Sequence, residues 1–385
     1  MYPNLYYAFK DLFGLDVPFL RFVNTFGFFV ALAFLLAAWV LSRELGRKSK
    51  SGFFTPTDSE IVIGEPASWS ELLSNFGLGF LFGFKLLALF FLSDEQTADP
   101  QAFLFSSEGS FPLGILVGAL FMFLKWREKN QSKLEKPEKR IIRIWPQDRV
   151  GEITMLALIF GLIGAKLFSI FEEWESFTLD PMGTIFSPAG LTMYGGLICA
   201  AIAIWVYARK HNMPIHHLND ATAPGLMLAY GVGRLGCHFA GDGDWGIPSN
   251  LSQKPGFLPD WLWSYSYPHN VLKTDTPIAG CDPAQWGDFC FQLGQAAYPT
   301  PLYEALACML LFGALWVLRK KVRVPGRIFA LYLMFNGLER FLIEKIRVNN
   351  RLDLFGFQPT QAEVISTSLF LAGAFLWIWL GRRTS

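Results

Sequence analysis

The stretch Tyr230-Gly-Val-Gly-Arg-Leu-Gly-Cys-His-Phe-Ala-Gly-Asp-Gly-Asp-Trp-Gly246 begins inside an apolar segment and ends in a run of glycine and aspartate. Arg234 is therefore predicted near the end of a transmembrane helix, among glycines that let another backbone or a ligand approach closely. A charged side chain at that depth costs about 2.5–3.5 kcal/mol on insertion scales and usually has a functional or pairing role. His238, Asp242 and Asp244 follow within ten residues. An arginine that snorkels to the interface or pairs with a neighbour on a helix is the alternative interpretation.

The composition is that of a membrane protein. Of the 385 residues, 52% are hydrophobic and only 17% are charged, fewer charges than a soluble domain of this size carries. Several apolar runs reach about 20 residues, the length that spans a bilayer. The net charge of +1 gives no reason to expect a nucleic-acid partner. The five cysteines show no metal-ligand spacing, and we expect neither a metal nor an organic cofactor.

The hydropathy pattern predicts an all-α polytopic membrane protein with about nine transmembrane helices. Basic clusters follow the first, third, fifth, seventh and ninth spans, whereas acidic or mixed loops follow the second, fourth and sixth. The positive-inside rule then places the N-terminus outside and the C-terminus in the cytoplasm. The spans are predicted at about 20–42, 71–92, 110–126, 151–171, 188–208, 220–240, 301–318, 326–344 and 362–380.

Three parts are predicted along the chain. Residues 1–19 form an interfacial segment, because aromatic residues alternate there with a few charges. Residues 20–149 hold the first three spans and a basic, mobile cytoplasmic linker; spans two and three look like an insertion. Residues 150–385 form the functional core, with an external loop at 241–300. Cys281 and Cys290 lie in this loop, where an oxidising compartment permits a disulfide, but the sequence leaves their pairing open.

Five of the spans deliver polar residues to the predicted outer side. Scattered snorkelling would not collect them on one side, so we predict a polar cavity that opens outward. Lys166 in span four is predicted to reach the same cavity or to pair with a neighbouring carboxylate or carbonyl. The other residues are Tyr194, Gly195, Gly196, Arg234, His238, Tyr298, Glu304, Asn336, Arg340, Glu344, Arg347 and Gln361.

Span eight carries a polar stripe. Asn336, Arg340, Glu344 and Arg347 fall at i, i+4, i+8 and i+11, which is one face of a helix. One interpretation is a structural ladder in which Arg340 pairs with Glu344. The other is that Arg340 and Arg234 bind a phosphate, which suits the planar guanidinium group. Both hold if the glutamates orient the arginines.

Five pieces of the sequence resemble the prolipoprotein diacylglyceryl transferase family of bacterial inner membranes. The resemblance implies transfer of the diacylglyceryl group of phosphatidylglycerol to the lipobox cysteine of a preprolipoprotein. The products are a thioether and glycerol phosphate, and the active site faces the outer side of the membrane. The third piece is the most specific. The pieces are Gly161-Leu-Ile-Gly-Ala-Lys-Leu-Phe168, Gly190-Leu-Thr-Met-Tyr-Gly-Gly-Leu-Ile198, Gly233-Arg-Leu-Gly-Cys-His-Phe-Ala-Gly-Asp-Gly-Asp-Trp-Gly246, Tyr298-Pro-Thr-Pro-Leu-Tyr-Glu304 and Arg340-Phe-Leu-Ile-Glu-Lys-Ile-Arg347.

The resemblance also implies roles for particular residues. Arg234 matches the signature arginine of the family, which implies contact with the lipid head group or the departing phosphate. Arg340 matches the second essential arginine, and Asp242 stands where the family has a glutamate. Glu304 and Glu344 match acidic positions. Tyr194 and His238 are counted with the catalytic residues. The residues expected to contact substrate are Arg234, Glu304, Glu344, Lys166, Gly195, Gly196, Tyr298, Asn336 and Gln361.

The sequence departs from the family pattern next to Gly195 and Gly196, where Tyr194 replaces the usual histidine. A phenol with a pKa of about 10 is a poor general base at neutral pH, although it can donate a hydrogen bond. The group that deprotonates the substrate thiol is therefore left open among His238, Asp242 and Asp244. The alternative functions are a lipid-binding or transport protein of the same fold, or a catalytically silent relative.

Overall fold

The computed structural model describes residues 1–88, 103, 106, 108–187, 190–349, 351, 353 and 358–382. The predicted end of the second span, at 89–92, and the predicted start of the fifth, at 188–189, lie outside the described residues. The described chain is mostly helical and has no closed sheet. Four of its helices are long and apolar enough to cross a membrane: Thr25–Lys50, Pro146–Glu172, Thr300–Leu318 and Gln361–Arg382. The coarse prediction of a helical membrane-type protein is confirmed.

In chain order the helices are α1 (Leu5–Phe13), α2 (Thr25–Lys50), α3 (Trp69–Leu81), α4 (Phe111–Gln131), α5 (Val150–Glu172), α6 (Trp174–Leu179), α7 (Pro181–Phe186), α8 (Met193–Lys210), α9 (Ile215–Ala240), α10 (Asp260–Trp263), α11 (Pro283–Trp286), α12 (Thr300–Leu318), α13 (Arg327–Glu344) and α14 (Gln361–Arg382). The helices from α5 to α9 follow one another closely, whereas longer segments precede α3, α4, α5 and α14, and only two short helices lie between Ala240 and Thr300 in the described chain. A π-helical turn, Phe82–Leu87, continues α3, and 3₁₀ turns cover Pro18–Phe22, Pro146–Arg149 and Leu251–Gln253. Each predicted span overlaps one of these helices, and the first, fourth, seventh and ninth overlap the four that are long and apolar enough to cross a membrane.

Two small antiparallel sheets accompany the helices. Strand β1 (Thr57–Ile63) pairs with β2 (Glu138–Ile144), and β3 (Thr276–Pro277) pairs with β4 (Phe291–Gln292). The linker predicted to be mobile therefore contains a paired strand. Apolar and charged residues do not alternate regularly along β2. Ion pairs nevertheless connect the two strands; for example, Arg143 Nε lies 3.5 Å from Asp58 Oδ1.

The chain divides into two compact units, Met1–Phe54 with Ala208–Ser385, and Thr55–Tyr207. In the first unit, α2 and α12 pack against α9, and α14 packs against α13. Its core centres on small and aliphatic side chains that are 0–2% exposed: Ala223, Met227, Cys308, Leu315 and Ile328. The functional-site residues of α9, α12 and α13 all belong to this unit.

A buried polar network joins the helices of the first unit at the end opposite to Arg234. The Asp220 carboxylate accepts hydrogen bonds from the backbone N–H groups of Gly326 (2.8 Å) and Phe329 (3.0 Å). It therefore caps the first turn of α13. Arg319 Nε lies 2.5 Å from Oε1 of the buried Glu44. These contacts fix α2, α9, α12 and α13 against one another.

In the second unit, α3 packs against α4, and stacked phenylalanines line their contact. Lys85, in the π-helical turn, donates to the backbone carbonyls of Phe103 (2.7 Å), Ser106 (2.6 Å) and Glu108 (2.6 Å). These three carbonyls satisfy the hydrogen-bond donors of a cation that lies within the second predicted span.

Candidate active site

Two carboxylates and two arginines form the centre of the site. Arg234 Nη1 pairs with Asp244 Oδ2, and Arg234 Nε lies 2.5 Å from Glu304 Oε2. Arg347 contacts the other oxygen of each carboxylate, with Nη2 2.6 Å from Asp244 Oδ1 and Nη1 3.0 Å from Glu304 Oε1. Each carboxylate is thus shared by two guanidinium groups, which fixes both arginines in position.

Backbone pairing in the loops explains how residues so far apart in sequence meet. Helix α9 ends at Gly241, whose φ of 64° is the left-handed conformation that glycine adopts readily. The chain then reverses and runs along two other segments. The Gly246 N–H donates to the Tyr298 carbonyl (2.9 Å), and the Ile247 N–H donates to the Ile346 carbonyl (2.9 Å). This short ladder brings the segment after α13 next to the end of α9.

Arg340 extends the cluster along α13. Its Nη2 lies 2.9 Å from Glu344 Oε2, and its Nη1 lies 3.6 Å from Glu304 Oε1. Asn349 Nδ2 donates to the second oxygen of Glu344 (2.6 Å). The predicted ladder between Arg340 and Glu344 is therefore present. It orients Arg340 toward the same carboxylate that Arg234 and Arg347 contact.

Glu304 is the hub of the cluster. Its side chain is 0% exposed, and the Tyr230 hydroxyl donates to its Oε2 at 2.9 Å. A buried carboxylate without such partners would cost several kcal/mol. The three arginine charges are formally balanced by Asp244, Glu304 and Glu344, so the cluster is tolerated among apolar helices.

The arginines retain donors for a ligand. A guanidinium group has five N–H donors, and the recorded bonds use only part of them. Arg347 Nε and Arg340 Nη1 are buried without a hydrogen-bond partner in the described part of the chain. Buried donors left without a partner point to a ligand or water that is held there. An anion with several oxygens, such as a phosphodiester, matches this donor set.

The two aspartates after α9 differ in their electrostatic state. Burial opposes ionisation of Asp244, but Arg234 and Arg347 hold its pKa below the ordinary value. Burial and the neighbouring Asp244 charge raise the pKa of Asp242. Asp244 is therefore a fixed counter-ion whose oxygens are both occupied, and this makes it a poor proton acceptor. Asp242 is the better base of the pair.

Cys237, Asp242 and Asp244 place one ligand atom each within 4.8 Å of one another. Such a group is able to hold a metal ion in principle. However, the Asp244 oxygens already contact two arginines, and a cation at this point would lie beside those guanidinium groups. The donor set favours an anion.

His238 occupies an aromatic pocket. It is 6% exposed, its ring contacts those of Phe239, Tyr265 and Tyr267, and Nδ1 lies 3.4 Å from the Tyr267 hydroxyl. Its recorded contacts within the described residues do not include the arginine cluster. A structural role accounts for this environment, and catalysis by His238 stays a prediction.

Four predicted site residues belong to the second unit. Lys166 donates to the Ser187 carbonyl (2.9 Å), one of the two partners expected for it. Tyr194 lies half-buried in the first turn of α8. Gly195 and Gly196 let α8 approach α5, because a Cβ at Gly196 would lie 2.9 Å from the Gly161 carbonyl. Contact of these residues with substrate stays a prediction.

The remaining predicted residues, Tyr298, Asn336 and Gln361, make no described side-chain contact with the arginines. Tyr298 supplies the backbone carbonyl of the loop ladder, and its ring packs on Trp263. Asn336 is half-buried on α13, one turn before Arg340. Gln361 is exposed at the start of α14, and the described contacts do not connect it to the arginines. No observation assigns these three side chains a ligand.

The prediction of the site from sequence gives no role to two of its residues, Arg347 and Glu339. Arg347 belongs to the polar stripe, and with Lys345 and Arg351 it makes the loop after span eight basic on the side predicted to be external, against the positive-inside rule. Glu339 was overlooked, although a carboxylate inside a predicted span is itself a reason to expect function. Tyr230 could not be recognised, because its partner Glu304 is 74 residues away.

The fold and the site define a helical, membrane-type protein with a buried arginine–carboxylate cluster suited to an anionic group. A family model described as prolipoprotein diacylglyceryl transferase matches residues 110–379. The chain belongs to this family. The matched range contains α4 and every helix of the cluster.

Several relatives carry the name phosphatidylglycerol–prolipoprotein diacylglyceryl transferase. The protein of Dehalococcoides mccartyi is 28% identical over 297 residues, which cover 75% of this chain and 96% of the relative. That of Streptococcus pneumoniae is 27% identical over 253 residues, covering 65% and 83%. That of Corynebacterium efficiens is 27% identical over 240 residues, covering 60% and 68%.

Proposed function

We propose that this protein transfers the diacylglyceryl group of phosphatidylglycerol to the lipobox cysteine thiol of preprolipoproteins. The observation that carries the proposal is the cluster of Arg234, Arg340 and Arg347, whose buried and partly unused donors suit a lipid phosphate. The family membership and the names of the relatives support the two substrates.

The reaction is a displacement at the glycerol carbon that bears the phosphate. The sulfur of the substrate cysteine forms a C–S bond to this carbon while the C–O bond to phosphate breaks. The electron pair of the broken bond goes to the phosphate oxygen, and glycerol phosphate departs. Arg234 and Arg340 stabilise the charge that grows on the leaving group, in a buried site where such contacts count most.

The carboxylates position these arginines. Glu304 and Asp244 hold Arg234, and Glu344 holds Arg340, so the guanidinium groups need little reorganisation during the reaction. On the basis of the sequence pattern, Tyr194 is proposed as a hydrogen-bond donor in the reaction. The further proposed substrate contacts are Lys166, Gly195, Gly196, Tyr298, Asn336 and Gln361.

The proposal includes a place in the cell. Nine spans, an external N-terminus and a cytoplasmic C-terminus put the arginine cluster on the outer side of the bacterial inner membrane. The charge distribution of the loops supports this orientation. A site on that side meets cysteines that have been exported through the membrane.

Substitution of Arg234 tests the proposed function. Purified protein in detergent is mixed with phosphatidylglycerol and a lipobox peptide, and the peptide mass is followed with time. Lysine keeps the positive charge but cannot make the bidentate contact of a guanidinium group with phosphate. Arg234→Lys should therefore slow transfer by about 10²–10³-fold. Arg319→Lys, at the other polar network, is the matched control for folding and should stay within a few-fold of wild type.

A wild-type protein that binds the lipid but never adds mass to the peptide would contradict the enzymatic proposal. Equal rates for wild type and Arg234→Lys would remove Arg234 from the reaction while leaving the transferase intact. Thermal unfolding of both variants is measured alongside, because loss of a partner for buried Glu304 also lowers stability.

A further inference from the structure

A cavity of about 410 Å³ lies between α12 and α13, and Glu339 is the only charged residue among those that line it. The walls are apolar, with Ala307 and Leu310 on one helix and Phe335 and Leu338 on the other. Glu339 directly precedes Arg340 of the arginine cluster. The cavity thus adjoins the proposed site but has a different chemical character.

The Glu339 carboxyl group is buried and lacks partners. The residue is 7% exposed, and neither oxygen has a hydrogen-bond partner within the residues that the structure describes. In contrast, Glu304 accepts from Tyr230 and Arg347. Glu344 pairs with Arg340. Burial of a carboxyl group without hydrogen bonds is costly, so this group calls for a ligand that supplies them.

The chemistry of the two substrates decides which of them meets Glu339. The phosphate and ester oxygens of the lipid are acceptors, and they match the donors of Arg234, Arg340 and Arg347. A carboxylate accepts hydrogen bonds, which the S–H group of the peptide and the glycerol hydroxyls of the lipid can donate, but only the S–H proton has to be removed in the reaction. Apolar walls also suit a peptide that reaches the site from within the membrane.

We propose that Glu339 accepts the proton of the substrate thiol and that the α12–α13 cavity admits this thiol. The inference rests on the proposed function. The S–H proton passes to a Glu339 oxygen, and sulfur attacks the glycerol carbon. The C–O bond to phosphate breaks with its electron pair on the departing oxygen. The proton leaves Glu339 to solvent after the products dissociate.

Glu339 would supply the general base that Tyr194, as a phenol, does not provide. Free cysteine has a pKa of about 8.5, so only a few per cent is thiolate at neutral pH and a base is needed. Asp244 is occupied by two arginines, Asp242 already accepts from the Asp244 N–H, and His238 is enclosed by aromatic rings. Glu339 combines an unused carboxyl group with a cavity large enough for substrate atoms.

The groups that surround Glu339 bear on any pH experiment. Arg234 of α9, Glu304 of α12, and Arg340 and Arg347 of the α13 region act on it electrostatically. The nearby neutral groups are Tyr230, Tyr303 and Cys308. A pH experiment on Glu339 therefore requires these neighbouring charges to be kept intact.

Glu339→Gln tests the inference in the full-length protein with phosphatidylglycerol and a lipobox peptide. At pH 7 the substitution should lower kcat by about 10²–10⁴-fold, the usual worth of a general base. The deficit should shrink as the pH rises beyond about 8.5, because the peptide thiol then ionises without help. Binding of phosphatidylglycerol should be unchanged. Glu128→Gln, an exposed carboxyl group at the end of α4, is the control.

Glu339→Asp keeps the carboxylate and should retain the pH profile of the wild type at a lower rate. A Glu339→Gln enzyme with the wild-type rate at pH 7, or with the same deficit at every pH, would overturn the inference. The inference would also be overturned if Glu339→Gln lost lipid binding while its KM for the peptide stayed unchanged, because the cavity would then hold lipid. A wild-type protein without transfer is the separate failure of the proposed function.

Discussion

At the scale of single residues, the site is built from charges that neutralise one another without using all their donors. Arg234, Arg340 and Arg347 are each held by at least one carboxylate, and Glu304 contacts all three. A buried charge of this kind is tolerated only because its partners are fixed. The carboxylates therefore stabilise the fold and also orient the arginines. Their removal should lower both the stability of the protein and its rate of transfer.

Asp244→Asn tests the stabilising part. The substitution keeps the shape but removes the charge that two arginines contact, and should cost on the order of 2 kcal/mol at pH 7, less than a fully buried pair. Arg234 and Arg347 depress the Asp244 pKa, so the ion pairs contribute fully above its unfolded value of about 3.9. Their contribution is lost as the pH falls through the lower folded value.

Thermal unfolding in detergent measures this prediction. The melting temperature of Asp244→Asn should be lower than that of wild type between pH 5 and 8, about the range in which the wild-type aspartate stays ionised. The difference should begin to shrink below about pH 4 and close only after the pH has fallen through the lower folded value. Asp260→Asn, which removes an exposed partner of Lys254, should have almost no effect. A difference in melting temperature between Asp244→Asn and wild type that is independent of pH would show that the ion pairs do not stabilise the fold.

Much of the site could be predicted at this scale because charges inside apolar segments stand out. Arg234, Glu304, Arg340, Glu344 and Arg347 were all visible in this way, and the structure brings them together. The roles of the loop aspartates were harder to predict. Whether an aspartate is a counter-ion or a base depends on which arginines it meets across more than 100 residues of sequence.

At the scale of elements, small residues let the helices of the site come close. Gly337 lies on α13, three residues before Arg340, where a Cβ would lie 2.5 Å from the Ser366 carbonyl and 2.8 Å from the Phe370 nitrogen of α14. The neighbouring atoms are backbone and cannot move aside easily. The spacing of α13 and α14 therefore depends on this glycine.

Gly337→Ala should push α14 away from α13 and destabilise the fold by about 1–3 kcal/mol, the usual cost of overpacking. The shift also displaces Arg340, so transfer should slow as well. Gly313→Ala on α12 is the matched control, because no atom lies within 4 Å of the added Cβ. It should keep or slightly raise stability, since alanine favours helix. Equal melting temperatures for the two variants would contradict close packing at Gly337.

The elements themselves were the most predictable part of the fold. Long apolar runs fix the position of a helix, and each predicted span overlaps one. The pairing of β1 with β2 was missed because their sequences are 75 residues apart and flank two helices. The ladder that joins Gly246 and Ile247 to Tyr298 and Ile346 escaped prediction for the same reason.

At the scale of the whole molecule, the first unit has polar networks at both ends of α9. Asp220 and Arg234 are 14 positions apart on one helix, a separation of about 21 Å. The network at Asp220 joins helix ends through two backbone N–H groups, whereas the cluster at Arg234 concentrates three guanidinium groups on one buried carboxylate. This contrast assigns structure to one end and chemistry to the other.

The central claim is that the sulfur of a cysteine displaces phosphate from the glycerol carbon of a lipid bound by the arginine cluster. The most direct measurement uses phosphatidylglycerol with ¹⁸O between the diacylglyceryl carbon and phosphorus, and determines the masses of both products. We expect an unlabelled diacylglyceryl thioether on the peptide and one ¹⁸O in each released glycerol phosphate. Label retained on the lipid portion, or phosphate attached to the peptide, would contradict the account.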